Sequence, residues 1–302
     1  MRSFPYLSDV APLIFGADIP LPIPTFGLFV ALAIGAATAV AMAGFRRQEA
    51  RGELASSMHL IVPDLALVCC IAGIIGARIF YIADHFDDFA RAPAAMIFSR
   101  AGFSIYGGLA FGFAAGIVFL RRRALAVRPV LDAVAPALML GYGIGRLGCQ
   151  VAGDGDWGIA ANLSLKPGWL PDWAWAQTYE GNILGVVLPN PGVYPTPLFE
   201  FAAATALFLV LFSMRDLRFG TGLLFSIYLL FAGFERLLIE KIRINVEYDV
   251  LGHMLTQAEM ISVAVIGVGL VGVMLTLDRR KLLLKALVGI GTLTALSACV
   301  PW

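Results

Sequence analysis

Apolar residues occur along the chain in long runs that are separated by short polar and basic segments. Each run is close to the roughly 20 residues that an α-helix needs to cross a bilayer. The pattern predicts eight transmembrane helices, at 24–45, 60–82, 102–120, 130–148, 196–214, 220–239, 258–277 and 282–300. Lys285 lies inside the last run, so that segment could instead lie along the membrane interface. We therefore expect an all-α polytopic membrane protein that forms one integral membrane domain over 1–302.

The composition also indicates a membrane protein, and it argues against several kinds of partner. Of the 302 residues, 59% are hydrophobic and 14% are charged, and the mean hydropathy is +0.83. A soluble domain of this size would need far more polar surface. The net charge of +1 gives no support to a nucleic-acid partner. The four cysteines show neither metal-type spacing nor a disulfide framework, so we expect no metal ion and no cofactor. The first residues lack a basic region followed by a short apolar region and a cleavage site, so we also expect no cleaved signal peptide.

The basic residues predict how the chain is oriented in the membrane. Of the 22 Lys and Arg residues, 13 fall in the short loops after the first, third, fifth and seventh runs. Because basic loops stay in the cytoplasm, the N-terminus should lie outside the cell. The segment 149–195, called the cap segment below, is then extracytoplasmic, and its tryptophans suit an interfacial belt or cap. Residues 84–99 indicate a short helix at the same surface.

Four arginines end apolar runs at the outer side of this topology. They are Arg78, Arg146, Arg236 and Arg243. A charge within the membrane costs roughly 2.5–3.5 kcal/mol on insertion scales, so each of these residues is a candidate for a site. On a continuous helix, Arg236, Glu240 and Arg243 would share one face.

Two readings of these arginines compete. An arginine near a helix end can reach the headgroups without any further role. Four arginines at one depth, some of them among glycine-rich turns, instead favour a phospholipid-headgroup site, because guanidinium groups match phosphate oxygens. Gly107 and Gly108 beside Tyr106 could let a ligand approach the backbone. The stripe formed by glycines 108, 112 and 116 is better explained by close helix packing.

The same residues carry a family resemblance. The stretch "GYGIGRLGCQVAGDGDWG" at 141–158 resembles the signature of bacterial prolipoprotein diacylglyceryl transferase. The segments "PTFGLFVAL", "GARIFY", "SIYGGLAFG", "YPTPLFE" and "FERLLIEKIR" are similar to other motifs of that family, in the same order. The resemblance covers most of the chain. It implies a bundle of seven helices, so the segment 281–302 would be an additional C-terminal helix.

The resemblance also implies a reaction. Members of the family transfer the sn-1,2-diacylglyceryl group from phosphatidylglycerol to the lipobox cysteine thiol of a prolipoprotein, and they release glycerol phosphate. The implied partners are phosphatidylglycerol, a prolipoprotein signal peptide with a lipobox, and membrane lipids. The implied location is the bacterial cytoplasmic (inner) membrane, with the active site towards its outer face. Guanidinium groups could stabilise the leaving phosphate.

Site residues follow from the matching motifs. The catalytic candidates are Arg146, Arg236, Tyr106, Asp154 and Glu240. The substrate-binding candidates are Arg78, Gly107, Gly108, Gly158, Glu200, Arg243, Phe26 and Asp156.

This sequence departs from the family pattern at four places. Tyr106 stands where the family usually has a histidine, and a tyrosine with its ordinary pKa near 10 is a poor base. We therefore expect Tyr106 to position the substrate. Cys149 replaces an asparagine and is best explained as a buried structural thiol. Either Asp154 or Asp156 replaces a glutamate, and Phe26 replaces a tyrosine.

Three alternatives to this transfer reaction stay open. One is a family member with a different acceptor, and another is a non-catalytic phospholipid-binding homologue. The third is a transporter, which the concentration of charge at one face and the lack of an internal repeat disfavour.

Overall fold

The computed structural model describes residues 2–17, 20, 22–99, 102–216, 220–250 and 252–277. The eighth helix expected at 282–300, with Lys285, lies outside the described residues. The described chain forms α1 (Leu7–Phe15), α2 (Thr25–Ala50), α3 (Val62–Asp84), α4 (Phe86–Arg91), α5 (Pro93–Ile97), α6 (Ile105–Arg122), α7 (Val127–Ala152), α8 (Thr196–Met214), α9 (Leu223–Glu240), β1 (Glu247–Val250), β2 (His253–Thr256) and α10 (Gln257–Thr276).

All seven spans that the sequence predicts within the described residues are helices. Six of them are long and apolar enough to cross a bilayer, namely α2, α3 with its preceding 3-10 turn, α6, α7, α8 and α10. The remaining one, α9, contains three charged residues, Glu235, Arg236 and Glu240. The expectation of an all-α polytopic membrane protein is therefore confirmed. The antiparallel hairpin of β1 and β2 is an element that hydropathy does not indicate.

Helix α7 continues beyond its expected end at residue 148 and reaches Ala152. Arg146 therefore lies within this helix, as the expected span 130–148 indicates, but six residues before the end of the helix rather than at its end. The helix stops where Gly153 adopts a φ of 63° and donates its N–H to the carbonyl of Cys149 at 2.9 Å. Glycine is suited to this left-handed position, which closes the last helical turn.

Contacts between Cα atoms divide the chain into two compact units. One consists of the described residues within 1–33 and 138–277, and is called the arginine unit below; the other, formed by the described residues of Ile34–Ala137, is called the glycine unit. The glycine unit has a core that includes Phe45, Leu120 and Val130.

In the glycine unit, α3 and α6 approach closely because glycines face each other. A Cβ atom on Gly107 would lie 2.6 Å from the Cβ atom of Phe80 and against the carbonyl oxygen of Gly76. A Cβ atom on Gly112 would lie 3.2 Å from the carbonyl oxygen of Cys69. Helix packing therefore explains the glycine stripe of α6, as expected from the small-residue spacing.

In the arginine unit, an apolar cluster joins α7, α8 and α9 around Met139, Ala204 and Leu211. The cap segment, whose first four residues belong to α7, is mostly irregular. It is held by bridges from Val193 to Ala160 and to Gln177.

The tryptophans of the cap segment have different environments. Trp157 is buried against Tyr179, with ring centroids 5.2 Å apart, whereas Trp169 is 82% exposed. Trp157 is therefore a core residue of the cap segment, and an interfacial role is open only to exposed members such as Trp169.

Candidate functional site

Three arginines from separate parts of the arginine unit converge on one carboxylate. Glu200 lies in the first turns of α8, and its side chain is fully buried. Its oxygens lie 3.3 Å from Nε of Arg146, 3.2 Å from Nη1 of Arg236 and 3.6 Å from Nη1 of Arg243. A buried carboxylate normally needs a cation, and this one has three.

Each arginine contacts a second carboxylate as well. Arg146 and Arg243 both pair with Asp156, through the two oxygens of that side chain. Nη2 of Arg236 lies 2.8 Å from Glu240, four residues later on α9. The result is a network of three guanidinium groups and three carboxylates, in which every guanidinium group spans two anions.

The backbone around Gly158 holds Asp156 and Arg243 together. Gly158 and Arg243 form an antiparallel bridge, and the N–H of Ile159 donates to the carbonyl of Ile242 at 2.8 Å. The hydroxyl of Thr196 donates to the backbone carbonyl of Asp156. The segment 156–159, which follows α7, is thereby held both to the start of α8 and to the chain that follows α9.

Gly158→Ala should disrupt this junction. The added Cβ would lie against the carbonyl oxygen of Ile242 and 2.9 Å from the Cγ2 atom of Thr196, so the two bridged backbone segments would have to separate. We expect a loss of about 1–3 kcal/mol in the free energy of unfolding, which is typical of overpacking. Gly168→Ala is the matched control, since a Cβ there meets nothing within 4 Å. Equal thermal stability of the two variants in detergent would contradict the prediction.

The geometry distinguishes the two candidate aspartates. Asp156 contacts Arg146 and Arg243, whereas a side-chain oxygen of Asp154 accepts the backbone N–H of Asp156 at 3.3 Å. Burial raises the pKa of Asp156, but the charges of the two arginines outweigh it and hold that pKa below the ordinary value. Burial and the charge of Asp156 raise the pKa of Asp154. Asp156 is thus the ionised partner of the arginines.

Arg243 reaches the network by a route that the sequence did not indicate. Helix α9 ends at Glu240, so Arg243 does not share a helix face with Arg236, and that expectation is wrong. The bridge to Gly158 places it instead. Burial lowers the pKa of Arg243, but the negative charges of Asp156 and Glu200 raise it above the ordinary value. Its side chain is only 9% exposed.

The glycine unit holds four of the other candidates. Arg78 donates to the backbone carbonyls of Ser99 and of Gly102, the latter at 2.9 Å, and its guanidinium group lies 4.1 Å from the ring centroid of Phe103. Gly107 and Gly108 pack on α3, and Tyr106 is half-buried in the first turn of α6. The expectation that Arg78 lies at the depth of the other arginines stays a prediction.

Phe26 on α2 and Cys149 on α7 are two further positions where the sequence departs from the family pattern. Gly148 lets Phe26 approach, since a Cβ there would lie 3.2 Å from the Cδ2 atom of that ring. Cys149 is buried, and its thiol lies within 4.8 Å of oxygens from Asp154 and Asp156. A cation at that cluster would compete with two guanidinium groups for Asp156, so the arrangement suits anion binding better than metal binding.

Sequence reasoning missed two residues of the network. Tyr142 lies four residues before Arg146 on α7, and its hydroxyl contacts Glu200 at 3.0 Å. Glu235 directly precedes Arg236 on α9, is 7% exposed, and contacts the same hydroxyl at 3.2 Å. Two features of the sequence could have indicated these residues. Tyr142 lies one helical turn before Arg146, and Glu235 is an additional charge in the apolar run of α9.

The fold and the site together define a multi-pass helical membrane protein with a buried network of arginines and carboxylates. The model of the family described as prolipoprotein diacylglyceryl transferase matches residues 12–275. The chain belongs to that family.

Curated relatives named phosphatidylglycerol–prolipoprotein diacylglyceryl transferase resemble the chain at moderate identity. One from Leptospira interrogans is 28% identical over 205 residues, which cover 60% of this chain and 61% of the relative. One from Bacillus cereus is 28% identical over 220 residues, covering 72% and 76%. The chain thus spans about 61% of the length of the Leptospira relative.

Proposed function

We propose that the protein transfers the sn-1,2-diacylglyceryl group of phosphatidylglycerol to the lipobox cysteine of a prolipoprotein. The convergence of Arg146, Arg236 and Arg243 on Glu200 is the observation that carries this proposal. The names of the relatives supply the substrates. The reaction takes place at the outer face of the bacterial inner membrane, where the signal peptide emerges.

The chemistry needs an anion site in a membrane environment. The substrate thiol gives up its proton, and its sulfur forms a bond with the glycerol carbon. The bond between that carbon and the phosphate oxygen breaks, its electron pair stays on the leaving glycerol phosphate, and in the overall balance this phosphate monoester takes up the proton that the thiol lost. Guanidinium groups that are already in place stabilise this developing charge, and they act more strongly where water is excluded.

Phosphate has to compete with the carboxylates that already contact the arginines. The side chains of Glu200 and Glu240 are 0% and 1% exposed, whereas that of Asp156 is 29% exposed. Asp156 also follows Gly153 and Gly155 in an irregular segment. In our proposal the lipid phosphate takes the place of Asp156 between Arg146 and Arg243, while Glu200 and Glu240 stay in place and keep the guanidinium groups oriented.

The test is transfer of a labelled diacylglyceryl group from phosphatidylglycerol to a lipobox peptide by the purified protein in lipid nanodiscs. We expect a thioether-linked product and glycerol phosphate. A peptide with serine in place of the lipobox cysteine is the control for the acceptor. The protein could also bind phosphatidylglycerol without transfer under conditions in which an established transferase works. That result would overturn the proposal in favour of a non-catalytic phospholipid-binding protein.

Orientation gives a separate prediction. In a background without native cysteines, Arg122→Cys should resist an impermeant thiol reagent in intact cells, because its basic loop is expected in the cytoplasm. Trp169→Cys is the matched position in the cap segment, and it should be labelled, since Trp169 is 82% exposed. Labelling of the first variant and protection of the second would reverse the orientation.

A further inference from the structure

Glu235 is a buried carboxyl group that the proposed reaction does not use. It is 7% exposed, and its two oxygens lie 3.2 and 3.4 Å from the hydroxyl of Tyr142. Within the described part of the chain, the arginines of the network form their salt bridges with other carboxylates, and none pairs with Glu235. An ionised carboxylate buried without a cation is costly.

The Tyr142 hydroxyl and the two carboxyl groups beside it need one more proton than they would hold if both carboxyl groups were ionised. The Tyr142 hydroxyl lies 3.0 Å from Glu200 as well as 3.2 Å from Glu235. A tyrosine hydroxyl has one hydrogen to donate and can accept through its lone pairs. If both carboxyl groups were ionised, one of the two contacts would join acceptor to acceptor. A proton on one carboxyl group turns both contacts into hydrogen bonds.

The surroundings decide which carboxyl group holds that proton. Glu200 lies within 3.6 Å of three guanidinium groups, which favour its charged form. Glu235 contacts the hydroxyl but makes no salt bridge within the described chain, so the charges of Arg146 and Arg236 act on it only from a greater distance and are opposed by its burial and by the charge of Glu200. The ionised Glu200 therefore accepts from Tyr142, and Glu235 is the donor to Tyr142.

We propose that Glu235 is held as a neutral carboxylic acid and, with Tyr142, positions Glu200 beneath the three arginines. The charges of the network then balance, because three guanidinium groups contact three ionised carboxylates, those of Asp156, Glu200 and Glu240. The hydrogen bond from Tyr142 fixes the oxygen of Glu200 that Arg236 also contacts. The ring of Tyr142 lies 5.1 Å from the guanidinium carbon of Arg146. Glu235 and Tyr142 are thus positioning residues.

Infrared spectroscopy tests the protonation of Glu235 directly. The full-length protein in lipid nanodiscs should show the carbonyl stretching band of a protonated carboxylic acid, and Glu235→Gln should remove it. Glu259→Gln is the matched control, because Glu259 is buried at a helix start but pairs with Lys241, so its loss should leave that band in place. An unchanged band in Glu235→Gln would overturn the proposal, whether or not the protein is a transferase.

Transfer assays test the positioning role, which rests on the proposed function. Glutamine can both accept from and donate to a tyrosine hydroxyl, as a neutral carboxylic acid does. Glu235→Gln should therefore keep most of the activity, whereas Glu235→Leu and Tyr142→Phe should each lose roughly 10–100-fold in kcat, the typical cost of a hydrogen bond to a charged group. KM for phosphatidylglycerol should change less. Equal losses in Glu235→Gln and Glu235→Leu would contradict the neutral form, and full activity of Glu235→Leu would remove the positioning role.

Discussion

Arg146→Lys and Arg236→Lys should each lower the rate of diacylglyceryl transfer by roughly 10²–10³-fold, the usual cost of about 3–4 kcal/mol for one donor lost at a preorganised charged site. Arg146 uses Nη1 for Asp156 and Nε for Glu200. Arg236 uses Nη1 for Glu200 and Nη2 for Glu240. A lysine has a single nitrogen on a flexible stem, so it cannot hold two anions in the same fixed geometry.

The measurement is kcat and KM for transfer to a lipobox peptide, after each variant has been shown to fold by its elution as a single species and its thermal unfolding. Arg123→Lys is the matched control. Arg123 is 46% exposed and pairs with Asp64 at 3.7 Å in the glycine unit, so its replacement should have little effect. Activity of both site variants within about threefold of the control, well below the tenfold that 1.4 kcal/mol represents, would remove the phosphate-binding role of the arginines.

Glu200→Ala should produce the largest loss of stability. The side chain is fully buried and contacts all three guanidinium groups, which would then repel one another without a common anion. Removing one partner of a buried ion pair typically costs about 3–5 kcal/mol, because an uncompensated charge remains. Glu200→Gln keeps the volume and can still accept hydrogen bonds, so it should lose less.

Unfolding in detergent by heat or denaturant measures this effect. Glu53→Ala is the control, since Glu53 is an exposed glutamate and such changes usually stay within about 0.5 kcal/mol. A similar unfolding midpoint for Glu200→Ala and Glu53→Ala would mean that the arginines do not depend on Glu200. A destabilised but active Glu200→Ala would separate the structural role of Glu200 from the chemistry.

Hydropathy was sufficient to predict the long helices of the described chain, because the thickness of the bilayer sets the length of an apolar run that crosses it. A helix must satisfy its own backbone within about 20 apolar residues, and the runs at 60–82 and 196–214 became helices with nearly those bounds. Charges inside such runs are costly, so Arg146 and Arg236 were recognisable as site candidates from the sequence by itself. The membership of the chain in its family was also visible in the order of its motifs.

Tertiary structure alone decided how these charges are paired. Two aspartates two residues apart look equivalent in the sequence, and only the bridge between Gly158 and Arg243 shows that Asp156 is the partner of the arginines. The end of α9 at Glu240 likewise depends on the chain that packs beside it. Glu235 was not among the candidates, and its place next to Arg236 in the sequence does not indicate its partner, because neighbouring residues on a helix point in different directions. Pairing depends on distances in three dimensions, and hydropathy carries no information about them.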